Sequence, residues 1–205
     1  MTFDAEGLTK KFNRAGTEYY VNDKDEIEAK KCTKCSKLKS IGNYVYKPVG
    51  LGGRGSKCRQ CAKRQRLLGS IKYRESRYGI KSKITEGCVE EVLSKFDSRC
   101  ALTGDESIHM DHVIPLSLGR EGRSRKGNLI PLSSFLNMNK GIKNIFEWFE
   151  DNRERFGLEQ RKFDELIEYL ADINDMTTEE YEEYVRWCHD NPRDLPVDNG
   201  EGMRA

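Results

Sequence analysis

In the middle of the chain apolar and polar residues alternate with a period of two, and on either side of that region apolar residues recur at helical spacing. Ile108, Met110, Val113 and Ile114 surround the polar trio His109, Asp111 and His112, which predicts a half-buried strand ending at Pro115. Asn128-Leu-Ile-Pro-Leu predicts a second short strand, closing a hairpin over the loop from Ser117 to Gly127. From Ser133 the spacing favours a helix, with Ser133 or Ser134 as N-cap. Beyond Gly141 the pattern is helical: Ile142, Ile145, Phe146 and Phe149 fall at one 3.6-residue spacing and Phe163, Leu166, Ile167, Leu170 and Ile173 at another. Thr177 and Glu180 form a capping-box pair ahead of Tyr181, Tyr184, Val185 and Cys188. Upstream, Leu67, Leu68 and Ile71 give a thin apolar stripe to a basic helix within Ala62 to Tyr78. Phe12, Tyr19, Tyr20 and Val21 suggest an arm or a short hairpin over residues 1–29, and prolines and glycines mark 191–205 as a frayed end.

The polar positions carry the chemistry. Strand alternation puts His109 and Asp111 on one face and Met110 and His112 on the other, so Asp111 and His112 share a site only if the backbone turns or bulges nearby. Asn137 and Lys140 are three apart and lie on one helix face. A hairpin followed by a helix then brings Asp111, His112, Asn128 and Asn137 within reach of one another. A neutral imidazole takes a proton from water near pH 7, which suits His112 as a general base. Asp111 and the amide oxygen of Asn137 are hard oxygen donors of the kind that favours Mg²⁺ or Mn²⁺. Asn128 fits the role of a brace for the loop that carries His112, and Lys140 that of a point charge for a phosphate. For His109, contact with metal or substrate and simple capping of the strand remain equal alternatives.

The run CALTG-x₄-HMDHVIPLSLG-x₈-NLIPLSSFLNMNKG resembles the HNH endonucleases of the ββα-metal fold, a group that includes homing endonucleases, colicin DNases and phage endonucleases. The resemblance covers about a fifth of the chain, Cys100 to Gly141. It implies that His112 is the base, Asp111 and Asn137 the ligands of a catalytic Mg²⁺ or Mn²⁺, and Asn128 the central structural asparagine. Asparagine at the third motif position points to the Asp/Asn-liganded subgroup rather than to a histidine-rich zinc site. Products with 5'-phosphate and 3'-hydroxyl ends would follow, one strand being attacked at a time.

Cys32-x-x-Cys35 and Cys58-x-x-Cys61, separated by twenty-two residues, fit a tetrahedral four-thiolate zinc site with no open position, hence a structural one. The rivals are a pair of disulfides and a redox motif. Met1 to Lys10 shows no apolar leader and no run is long enough to span a membrane, so the expected setting is a reducing bacterial or phage-infected cytoplasm, where disulfides are disfavoured. The segment also looks like the zinc-ribbon modules found ahead of nuclease domains in phage proteins. Cys88, Cys100 and Cys188 read as small buried apolar residues.

Net charge is only +2, but its distribution is uneven. From Lys30 to Lys83 there are seventeen Lys or Arg against one acid, Glu75, while Phe146 to Tyr184 holds fourteen acids against four bases. The basic part, and in it Lys57, Arg59, Lys63, Arg64, Arg66, Lys72, Arg74 and Arg77, is the candidate nucleic-acid contact. The expected fold class is α+β: an N-terminal arm (1–29), a zinc-binding basic module and helix (30–83), an HNH core (84–145), a helical extension (146–190) and a flexible tail (191–205). With 36% apolar and 34% charged residues, the N-terminal part lacks a core of its own and would rely on zinc. The reading is a metal-dependent DNA endonuclease of the phage or homing type that nicks or cuts double-stranded DNA, monomeric or homodimeric, with no membrane partner. The alternatives are a non-catalytic zinc-dependent DNA-binding protein on the same scaffold, a junction-resolving or restriction-type enzyme, and RNA cleavage.

Overall fold

Short polar turns set the architecture of the N-terminal part. Asn13 Oδ1 accepts from the amides of Ala15 and Thr17, and Asn22 Oδ1 from those of Lys24 and Glu26, each folding the chain back on itself. In the computed structural model, which describes residues 3–118 and 124–192, these turns join β1 (Thr9–Phe12), β2 (Glu18–Val21) and β3 (Ile27–Lys31). With β4 (Leu38–Ser40) they form a four-stranded antiparallel meander in the order β1-β2-β3-β4. The arm or single hairpin expected over residues 1–29 is thus three strands of one sheet. The side-chain amide turns at Asn13 and Asn22 are the physical reason.

The β3–β4 turn carries Cys32 and Cys35, and Ser36 adopts a left-handed conformation (φ 57°) as its amide donates to Cys32 O. A second antiparallel pair follows, β5 (Tyr44–Tyr46) with β6 (Arg54–Cys58), and Tyr44 lies opposite Cys58. Their connection includes Gly50, where a Cβ would fall 2.0 Å from Arg54 O, so no other residue fits. Helix α1 (Arg59–Arg77) starts directly after Cys58.

The chain divides into two compact units, Met1–Arg66 and Leu67–Ala205, with α1 running across the division. In the second unit α2 (Glu86–Lys95), N-capped by Thr85, precedes an antiparallel hairpin of β7 (Ile108–His112) and β8 (Leu129–Ser133). Helix α3 (Ser134–Lys140) follows at once, its N-terminus capped by the Ser133 hydroxyl. The β7 strand ends at His112 rather than at Pro115, because Val113 and Ile114 bond to Asn128 instead of continuing the ladder.

Three helices complete the unit: α4 (Ile145–Phe156), α5 (Gln160–Asp172) and α6 (Thr178–Asp190). Ile142 is not part of α4, contrary to the periodicity. Gly141 leaves α3 with φ +53° and Asn144 caps α4, so Ile142 is left exposed on the connection. The apolar stripes of α4 to α6 meet residues of the hairpin and of α1 in one core, which includes Met110, Leu129, Leu132, Trp148, Phe149, Leu170 and Val185. Phe149 and Phe163 stack with centroids 3.9 Å apart. Cys100 and Cys188 are buried in this core as expected, and Cys88 is half-buried. The capping box of Thr177 and Glu180 is formed in full. Thr177→Ala is expected to cost about 1 kcal/mol in urea unfolding, since it leaves the Glu180 amide without its cap. The expected flexible tail falls largely on 193–205, outside the described residues.

Among the described residues no helix is long and apolar enough to cross a membrane.

Candidate functional site

The two cysteine pairs converge. Cys32, Cys35, Cys58 and Cys61 place their four sulfurs within 4.8 Å of one another, close enough to hold one metal ion. They form no disulfide. All-sulfur donors in a small buried cluster suit a structural ion such as zinc. Backbone amides of Lys34 and Cys58 point at Cys32 Sγ, at 3.4 and 3.3 Å, as amides do toward thiolates. Burial raises the Cys32 thiol, but amides of Cys58, Cys35 and Lys34 outweigh it and bring the thiol down to about 6. Cys61 is pushed up, first by burial and then by the neighbouring thiols of Cys58 and Cys35. Four sulfurs this close cannot all ionise without a cation between them, and these opposite displacements express that conflict.

Around the cluster the first unit has very little core. Tyr44 packs on the cysteines and donates its hydroxyl to Lys30 O at 2.6 Å, while the buried Lys30 ammonium donates to the carbonyls of Leu51 and Arg54. Burial, with the nearby Arg54, holds Lys30 below its ordinary value.

The second site lies where β7 gives way to the segment after it. Asp111 and His112 both line a cleft of about 570 Å³ whose other walls include Tyr73, Arg74 and Arg77 of α1 and Ile142. The register of β7 against β8 runs unbroken from Ile108–Ser133 to His112–Leu129, so no bulge brings the two side chains together. The cleft does so by lying at the strand's end, where both faces of the strand border it.

Asn128 holds that end in place. Its Oδ1 accepts from Ile114 N at 2.7 Å, its Nδ2 donates to Ile114 O at 3.0 Å, and Val113 N donates to Asn128 O. Replacing it with alanine would strand two buried backbone groups, at about 1–3 kcal/mol each. Asn128→Ala should therefore lower stability by that sum in urea titrations.

Lys140 departs from the role expected of it. It is fully buried, not free to meet a phosphate: its ammonium pairs with Asp111 Oδ2 at 2.8 Å and donates to the carbonyls of His112 and Gly141. The reason is its position one turn after Leu136, on the inward face of α3. Asn137 is half-buried on the same helix and does not line the cleft. His109 is exposed on β7, opposite Leu132, and does not line the cleft either.

Glu75, the lone acid of the basic stretch, is the residue that sequence reasoning passed over. It is completely buried on α1, with Oε1 3.7 Å from His112 Nε2. Leu67, Ile71 and Glu75 stand four apart, so the apolar stripe of α1 carries Glu75 into the core, and that spacing was the available signal.

Of the basic residues, Arg59, Arg66, Lys72 and Arg77 are exposed, and Lys57, Lys63, Arg64 and Arg74 are half-buried. Arg74 donates to Met110 O and Lys57 to Gln65, so each does structural work as well. A different groove, of about 410 Å³ among α4, α5 and α6, is lined by Glu150, Asp164, Glu168, Glu179 and Glu182 and has the wrong charge for a polyanion.

No protein-family model matches this chain, and no curated protein or solved structure is significantly similar to it.

Proposed function

We propose that the protein is a metal-dependent DNA endonuclease of the HNH type, in which β7, β8 and α3 supply the ββα core and the first unit is a zinc-stabilised basic module. The observation that carries this reading is the single cleft that holds Asp111 and His112 together under Arg74 and Arg77, with Asn128 pinning the chain two residues past His112.

In this reading His112 takes a proton from the attacking water as oxygen bonds to phosphorus. The bond from phosphorus to the 3'-oxygen breaks, and the leaving oxygen takes a proton from solvent, which gives 5'-phosphate and 3'-hydroxyl ends. Arg77 and the free face of the Arg74 guanidinium meet the phosphate oxygens. Asn128 fixes the segment after His112, so the imidazole keeps one position relative to the cleft.

A divalent Mg²⁺ or Mn²⁺ on Asp111 would supply Lewis-acid stabilisation of the phosphate, but Asn137, the second ligand that the resemblance implies, does not line the cleft. Asp111 Oδ2 is buried and lies 2.8 Å from the Lys140 ammonium, so a divalent ion at that oxygen would have to displace the lysine. The Lys140 ammonium beside that oxygen favours the second reading, a non-catalytic DNA-binding protein on the same scaffold. The two separate on a labelled duplex incubated with Mg²⁺ or Mn²⁺. The enzyme yields EDTA-sensitive fragments with 5'-phosphate ends, whereas the scaffold retains the duplex and leaves it whole.

A further inference from the structure

Helix α1 lies outside the hairpin and helix of the candidate site, yet it delivers a carboxylate to the back of His112. Glu75 is anchored there twice: Ile71 one turn earlier is in the core, and the adjacent Arg74 donates to the backbone of Met110 on β7. Both oxygens of Glu75 and Nε2 of His112 are buried, and none has a hydrogen-bond partner among the described residues. Their 3.7 Å separation exceeds a hydrogen bond but is within ion-pair range. The hydroxyls of Ser82 and Ser124 also face the carboxylate. Burial acts to raise the Glu75 carboxyl, but His112 and these two serines outweigh it and hold it below its ordinary value. Among the described residues, the imidazole of His112 is a titratable group that faces this buried carboxylate.

We propose that Glu75 is the positioning residue of His112: its carboxylate draws the imidazole proton to Nε2, leaving the Nδ1 lone pair toward the cleft to receive a proton. The role rests on the nuclease reading for its consequence, not for its geometry. An imidazole that must accept a proton from water needs one tautomer and one orientation. A carboxylate behind the ring fixes both and also stabilises the imidazolium that forms. A simple buried ion pair would contribute only to stability and would leave tautomer and turnover unchanged once the protein is folded.

The test uses full-length protein labelled with ¹⁵N and ¹³C, in which three histidines make assignment tractable. In the wild type, long-range ¹H–¹⁵N spectra should show His112 protonated at Nε2 with Nδ1 bare. Glu75→Gln can offer its amide in either sense, so the preference should be lost. In parallel, kcat on plasmid DNA should fall at least about 10-fold in Glu75→Gln with KM changed less than about 2-fold. A wild-type His112 protonated at Nδ1 would overturn the proposal without any variant. So would an unchanged tautomer, or unchanged kcat, in a folded Glu75→Gln protein. Wild-type protein that shows the Nε2 tautomer but does not cut DNA would sink the nuclease reading and leave the Glu75–His112 arrangement standing.

Discussion

Cys58→Ser is expected to abolish stoichiometric zinc binding and to unfold the first unit. The 66 residues of Met1–Arg66 bury only the cysteines, Tyr44 and a few residues such as Val21 and Ala29, and Lys30 takes up part of that interior. A core of that size supplies no more than about 3–5 kcal/mol, whereas a structural zinc in a small domain contributes on the order of 10–16 kcal/mol. A bound metal would then be the main stabilising term, and removing one ligand would remove most of it. Elemental analysis should find one zinc per wild-type chain and well under that in the variant. The amides of residues 27–61 should exchange rapidly in the variant while those of β7, β8 and α4 to α6 stay protected. Wild-type protein free of metal, with full protection of the first unit, would contradict the assignment.

His112→Ala is expected to lower DNA cleavage by about 10²- to 10⁴-fold, the usual contribution of a general base, with duplex affinity changed little. Binding should survive because, in the proposed reading, affinity would come from phosphate contacts by exposed bases such as Arg59, Arg66, Lys72 and Arg77, and His112 is nearly inaccessible. The affinity should also fall steeply with added salt, as counterion release requires. Equal loss of cutting and binding would show His112 to be a structural residue, and unchanged cutting would remove it from the chemistry.

Parts of this picture were legible in the sequence for definite reasons. Strand alternation around His109, Asp111 and His112 and the serine after Leu132 marked the hairpin and the helix start, because those signals depend on local backbone chemistry. The two Cys-x-x-Cys pairs converge because metal-ligand spacing survives in sequence whatever lies between. The N-terminal sheet was hidden because β1 to β4 have almost no alternating apolar face, and only Asn13 and Asn22 announced its turns. The burial of Lys140 and Glu75 was hidden for another reason. Long charged residues are assigned to the surface by default, and only their place four residues after Leu136 and Ile71 showed that each points inward. Both buried charges adjoin the Asp111–His112 pair, so what local patterns missed is the ionic support of the candidate site.

Whether the protein cuts DNA is decided by a time course on supercoiled plasmid with purified wild-type protein in Mg²⁺ or Mn²⁺, against an EDTA control and His112→Ala. Supercoiled plasmid should convert, only with metal present, to nicked circles and later to linear product, and the variant should form neither. Plasmid that stays supercoiled in either metal while the same protein retards it in a gel, across substrates of varied sequence, would contradict the endonuclease and leave a zinc-dependent DNA-binding protein in its place.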